Sequence, residues 1–424
     1  MSGRIQAPRG TYDVLGEQAA AREALEGHAR RILERAGYER IETPTFEATE
    51  LFARGVGEST DVVQKEMYTL EDGDTQPTSS AGTGNQSITL RPEGTAPVCR
   101  AYLEHGMHKR PQPVKLWYFS SFFRRERPQK GRFRQFWQVG SEAIGSDDPA
   151  VDAESILLLA ELLEAIGSRG VRLRIGSLGT PDTRRAYRAE LQAYLHAHEL
   201  ELAEEVVARI DLNPLRAFDS DHPGTRRVMA GAPRLLERLD DDDREHFEAV
   251  KELLDGVGQS YEVDDTLVRG LDYYTRTVFE FNSDALGAQS GVGGGGRYDG
   301  LIEQIGGPHT PGIGWASGVE RMLLTAAELP AAGPPLDLFV AYAKPELRAA
   351  AFRLAADVRR AGLAARLELG GRSLKGQLKQ ADRAGARYVA ILGDEGTSLK
   401  DMETGEQQTV EPDTVMHHIT QVRL

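Results

Sequence analysis

At 424 residues, 40% hydrophobic and 27% charged, the chain exceeds one ordinary core and its length predicts two or three domains. Its formal net charge of -14 excludes a protein that coats nucleic acid indiscriminately, which would carry an excess of Lys and Arg. One cysteine, Cys99, excludes an intrachain disulfide and a cysteine zinc cluster.

In chain order, "MSGRIQAPRG" lacks the apolar run of a signal peptide, and the most apolar stretch, "SILLLAELLEAIG", is interrupted by Glu161. A cytoplasmic protein without a membrane segment is expected. Residues 19–36 place Leu25, His28, Ile32, Leu33 and Ala36 at three-to-four spacing, which predicts an amphipathic helix ended by Gly37. "YERIETPTFE" alternates as a strand, and Pro44 confines it to an edge or a subunit contact. "KEMYTL" and "SITLRPEGT" read as short strands flanking the polar spacer 71–87, a mobile hairpin loop. A helix follows at "APVCRAYLEHG".

"PVKLWYFSSFFRRE", "RPQKGRFR" and "QFWQVGSEAIG" then read as strand, turn and returning strand. Between Lys109 and Arg134 there are nine basic residues and one acid, Glu126. Arginine forks suit phosphate oxygens, and interleaved aromatics suit a base. Strand alternation is expected to send Arg124, Glu126, Arg134, Phe136 and Gln138 toward one face.

Helical patterns dominate from Pro181 to Gly258, an insertion between the strands "VRLRIGSLG" and "LVRGLDYYTRTVFEFN". "GVGGGGRYDGL" fits GxGxxG at Gly291, Gly293 and Gly296, yet no βαβ unit surrounds it, so close approach of a ligand or backbone is the better reading. "TPGIGWASG" leads into the helix "VERMLLTAAEL". After the linker "PAAGPPLD", strands and helices alternate in a small parallel-rich α/β domain. Residues 331–424 hold 13 Lys and Arg against 12 Asp and Glu, leaving the rest of the chain at -15. Ten scattered histidines without HExxH spacing make a protein-ligated metal unexpected.

Several side chains remain open between two roles on the residues alone. Glu93 and Thr95 could simply cap the helix they precede, Arg269 could form a structural pair with Asp272, and Arg321 could be a surface residue.

Together these segments resemble the class II aminoacyl-tRNA synthetases, and within them the histidyl-tRNA synthetase family. "YERIETPTFE" is similar to motif 1, "SSFFRRERPQKGRFRQFWQVGSE" to motif 2 and "GIGWASGVERMLL" to motif 3. "LVRGLDYYTRTVFEF" and "GGRYDGL" resemble the two histidine-specific motifs, and "RGTYDVLG" the N-terminal signature. Departures are the long polar spacer and an extra glycine before "GGRYDGL".

The resemblance implies an α+β catalytic core on an antiparallel sheet with flanking helices, a helical insertion and a C-terminal α/β anticodon-binding type domain. The expected boundaries are 1–176 and 261–330 for the core, 177–260 for the insertion and 331–424 for the tail. It implies a homodimer that joins L-histidine to tRNA(His) through histidyl-adenylate, using ATP with Mg2+. Arg269 and Arg124 would be catalytic. Glu93, Gly94, Thr95, Arg124, Gln138, Glu142, Arg269, Tyr273 and Tyr274 would hold histidine. Arg124, Glu126, Arg132, Phe136 and Arg321 would hold ATP, and Arg127, Gln129 and Lys130 would meet the tRNA acceptor end. No editing domain is expected. The alternatives are a synthetase-like regulatory subunit of ATP phosphoribosyltransferase, which typically lacks the tail and much of "LVRGLDYYTRTVFEF", a synthetase for another amino acid, and a pure RNA-binding module.

Overall fold

A computed structural model describes residues 4–57, 60–70, 87–267, 270–287, 290–327 and 336–421. The polar spacer, the interdomain linker and Arg269 lie outside the described residues. Two compact units result, residues 1–329 and 330–424.

The first unit is built on an eight-stranded sheet. Its strands are β1 (Glu39–Arg40), β5 (Val114–Phe123), β6 (Gln135–Ile144), β11 (Gly312–Gly318), β10 (Gly291–Arg297), β9 (Thr275–Ser283), β7 (Val171–Ser177) and β8 (Glu262–Val263), in that spatial order. The edge pairs β1/β5 and β7/β8 are parallel and the inner ladders antiparallel. A separate three-stranded sheet joins β2 (Phe46–Ala48), β4 (Ile88–Leu90) and β3 (Tyr68–Leu70).

"YERIETPTFE" is therefore two strands in two sheets, not one. Pro44 cannot donate to a ladder, and the buried Arg91 guanidinium pins the break by donating to the carbonyls of Thr43 at 2.6 Å and Ser121 at 2.8 Å. Strand β9 likewise starts only at Thr275, leaving Tyr273 and Tyr274 in the turn before it.

The main sheet's pleat divides its residues between two cores. Trp117, Phe119, Val139, Ala143 and Trp315 face α1 (Glu17–Arg35), α4 (Pro149–Ala165) and α8 (Asp241–Gly256). Leu116, Tyr118, Phe122 and Val278 face the opposite way, toward α2 (Thr49–Val56) and α3 (Thr95–Glu104). The helical stretch between β7 and β8 contains α5 (Pro181–Ala197), α6 (Glu204–Val207), α7 (Pro223–Ala230) and α8. Helix α8 packs beside α4 on the sheet, burying Phe247, Val250 and Leu254. Helices α4, α5 and α8 begin with Asp148, Thr180 and Asp240, each accepting from a first-turn N–H, with Pro at the first helical position in α4 and α5. Short helices α9 (Leu301–Gln304) and α10 (Val319–Thr325) follow β10 and β11.

The second unit orders its strands β13 (Ala365–Leu367), β12 (Leu336–Tyr342), β14 (Ala386–Gly393), β15 (Gly396–Asp401) and β16 (Gln407–Val410). The first three are mutually parallel and the last two antiparallel, and β15 is a strand the sequence pattern did not signal. Helices α11 (Arg348–Arg360) and α13 (Val415–Gln421) cover one face, and α12 (Leu374–Arg383) the other. Among the described residues, no helix is long and apolar enough to cross a membrane.

Candidate active site

The open face of the main sheet carries a polar slot and, farther along the same strands, an arginine-rich platform. Glu142, on β6, forms the floor of the slot and is fully buried. Its carboxylate accepts from Tyr298 Oη at 2.7 Å and Thr95 Oγ1 at 2.8 Å, with Tyr118 Oη at 3.5 Å. A Cβ at Gly314, directly across the ladder, would collide with Glu142 Oε2, so glycine there makes room for the acid. Burial pushes the Glu142 carboxyl up to about 8, against the lowering effect of the Tyr298 and Thr95 hydroxyls.

Glu93 stands at the slot's side. Its carboxylate accepts from the backbone N–H groups of Thr95 at 2.8 Å and Ala96 at 3.1 Å, and from Tyr273 Oη at 3.4 Å. Capping of α3 is thus real, and it aims the same carboxylate beside Glu142 in the buried slot. Gly94 and Gly140 both lie against the Tyr118 ring, where an added Cβ would come within 2.5 Å of it or closer. Tyr273 packs on Tyr274 with ring centroids 4.7 Å apart, and both are buried. Among the described residues, the Oε1 of Gln138 is a buried acceptor without a hydrogen-bond partner.

Farther out on β6, Phe136 packs with Phe122 and lies 5.3 Å from the Arg124 guanidinium carbon. Arg124 Nε donates to the Pro92 carbonyl at 2.9 Å, fixing the fork. Glu126 sits between guanidinium groups, 3.2 Å from Arg132 and 3.8 Å from Arg124. Arg321, on α10, is depressed by burial and then by the neighbouring Arg132 charge. Two guanidinium groups that repel each other mark a place for an anion.

At the hairpin tip Arg127, Gln129 and Lys130 are exposed, and a bridge closes Gln129 to Arg132. Arg134 departs from the expected alternation. The tip is no longer strand there, and the side chain turns toward Gly10 and the Glu126 carbonyl. Among the described residues, no cluster of three His, Cys, Asp or Glu could hold a metal ion.

The profile of the histidyl-tRNA synthetase family matches residues 10–322, and that of an anticodon-binding domain matches residues 337–421. A histidine–tRNA ligase of Rubrobacter xylanophilus is 47% identical over 419 residues, covering 95% of this chain and 96% of the relative. The crystal structure of apo histidyl-tRNA synthetase of S. aureus superposes with a TM-score of 0.80 at 35% identity, covering 98% of this chain and all of that one. The chain belongs to the histidyl-tRNA synthetase family. A Bacillus halodurans structure titled both as a regulatory subunit of ATP phosphoribosyltransferase and as histidyl-tRNA synthetase, at 22% identity and a TM-score of 0.65 over 92% of this chain and 99% of that one, shares the fold.

In this member of the histidyl-tRNA synthetase family, two slot residues were not singled out from the sequence. Tyr298 lies inside the quoted "GGRYDGL", which was the available signal, and Tyr118 had none beyond its place on a strand. The Arg297 of that motif is fully buried against Asp152, which also accepts from Thr277 Oγ1 at 2.7 Å and meets His246 Nε2 at 2.6 Å. Arg297 ties β10 to α4, and so sets where the next residue, Tyr298, projects.

Proposed function

We propose that the chain is a histidine–tRNA ligase, and that the Glu142 slot holds the imidazole while the Arg124 platform holds ATP. The histidine carboxylate oxygen attacks the α-phosphorus, and the bond to the bridging oxygen breaks as pyrophosphate leaves. A terminal ribose hydroxyl of tRNA(His) then attacks the histidyl carbonyl, and AMP departs.

The first step brings two anions together, so fixed positive charge must meet the developing negative charge. Arg124 and Arg269 are assigned to the α-phosphate and the substrate carboxylate, and Arg132 and Arg321 to the remaining phosphates. Phe136 and Glu126 are assigned to the adenine side. Magnesium arrives with ATP as part of the substrate. Glu93, Thr95 and the Gln138 Oε1 suit the α-amino group, with Gly94 letting the Tyr118 ring pack close beside them. Glu142 accepts from one imidazole N–H, and Tyr274, with Tyr273 beside it, serves the other ring nitrogen. Such a slot leaves buried polar groups unpaired against any apolar isostere, discrimination worth roughly 10⁴–10⁵ without editing.

Exposed Arg127, Gln129 and Lys130 suit the acceptor end, and residues 337–421 the anticodon. A homodimer fits the exposed Phe46 and Leu70 on the three-stranded sheet, and the cytoplasm is the compartment proposed for it. Sedimentation at twice the chain mass is expected, and a monomer at assay concentration sinks it.

The observation that carries the reading is a fully buried carboxylate ringed by Tyr298, Thr95 and Tyr118 on the strand that also carries Phe136. ATP–pyrophosphate exchange tested with each of the twenty amino acids should respond to histidine alone. Exchange driven by another amino acid, or none from folded protein, overturns it.

A further inference from the structure

We propose that residues 8–12 are a strap that sets the geometry of the ATP half of the site, with Tyr12 as a positioning residue. The proposal rests on the ATP reading above.

The strap begins with a turn in which Thr11 N donates to the Pro8 carbonyl at 3.0 Å, with Gly10 at φ +92°. Positive φ at the third residue of a turn calls for glycine. Contact calls for it as well. The Gly10 carbonyl accepts from Arg134 N at 2.8 Å, and a Cβ there would lie 2.8 Å from Arg134 Cγ and 2.9 Å from Pro128 Cγ. The Tyr12 ring then packs on Phe133 at 4.6 Å, and its hydroxyl donates to Glu320 Oε1 at 3.0 Å. Glu320 accepts in turn from Trp137 N at 3.1 Å, and the Arg22 guanidinium lies 3.4 Å from the Trp137 ring centre. Burial beside Glu320 pushes the Tyr12 phenol up, so it stays a donor at working pH.

Three residues the strap reaches, Phe133 and Glu320 directly and Trp137 through Glu320, are sequence neighbours of assigned ATP contacts. Phe133 adjoins Arg132, Trp137 adjoins Phe136, and Glu320 adjoins Arg321. Fixing those three backbone points fixes where two guanidinium groups and one ring project. The Arg132 charge works against Arg321, with Glu280 and Glu126 offsetting part of it, and a fixed backbone keeps the two guanidinium groups in place before a phosphate arrives. Organising them in advance reduces the cost of ordering them around ATP. The Glu142 slot lies at the far end of β6 and touches none of the strap.

The test uses full-length Tyr12→Phe and Tyr12→Ala in ATP–pyrophosphate exchange, varying ATP at saturating histidine and then the reverse. Loss of the hydroxyl should raise KM for ATP roughly 5- to 10-fold, more in the alanine variant, which also loses the Phe133 contact, with KM for histidine within about twofold. An unchanged KM for ATP in Tyr12→Phe, or both KM values rising together, overturns the strap. Arg321→Ala is the reference. No rise in KM for ATP there sinks the ATP reading and the strap with it, whereas a rise there without one in Tyr12→Phe sinks the strap alone.

Discussion

Glu142 is the residue to which the proposed reading assigns selection, a fully buried carboxylate ringed by hydroxyls. Its carboxyl is raised from the ordinary 4.5 to about 8, chiefly by burial. The folded empty slot therefore prefers the proton, so this group's contribution to stability is complete below about pH 4.5 and is lost as pH climbs through 8. Melting of the ligand-free protein from pH 5 to 9 should fall more steeply in the parent than in Glu142→Gln. Parallel profiles would show that Glu142 does not titrate in this window. The same variant should lower kcat/KM for histidine roughly 10- to 100-fold, the worth of one hydrogen bond to a charged group, with little change in KM for ATP. Much of this slot was legible, since Glu142, Glu93 and Thr95 lie in quoted motifs with the residue types the chemistry needs. Tyr118 was not, because nothing in a linear pattern says which hydroxyl will face residue 142 across a ladder.

At the level of elements, the sequence reading located the hairpin β5–β6, the glycine strand β10 and helix α3, because alternation, turn residues and helical spacing agree there. It joined β1 to β2 because period-two alternation continues through Pro44, while the anchor that divides them, Arg91, lies far along the chain. The link between Asp152 and Arg297 was equally hidden, since it joins a helix to a strand 145 residues away. Both side chains are fully buried. Breaking such a pair from one side costs about 3–5 kcal/mol, so Asp152→Asn should lower the melting temperature by on the order of 5–10 °C. It should also raise KM for histidine through Tyr298. A melting temperature within 1 °C of the parent, measured by calorimetry at roughly 1 °C precision, would show that Arg297 finds other partners.

For the whole molecule, the Pro- and Gly-rich linker and the shift in charge suggest a boundary at 330 and 331, and the compact units divide at residues 329 and 330. The tail holds a net +1 and the remainder -15, so a polyanion is least repelled by the part that matches an anticodon-binding profile. A chain ending at residue 329 should keep histidine-dependent exchange within about threefold, while KM for tRNA(His) in aminoacylation rises roughly 100-fold or more. Equal loss of both activities would mean that the first unit needs the tail to fold. Strand β6 has a consequence of its own. Phe136, Gln138, Gly140 and Glu142 share one face over about 20 Å of extended backbone, so the chain carries its own yardstick between the aromatic platform and the buried carboxylate. Side chains along it can be exchanged one at a time, but a single inserted residue would turn Glu142 into the helical layer behind the sheet. A change of length between those two points is therefore costlier to this chain than a change of side chain.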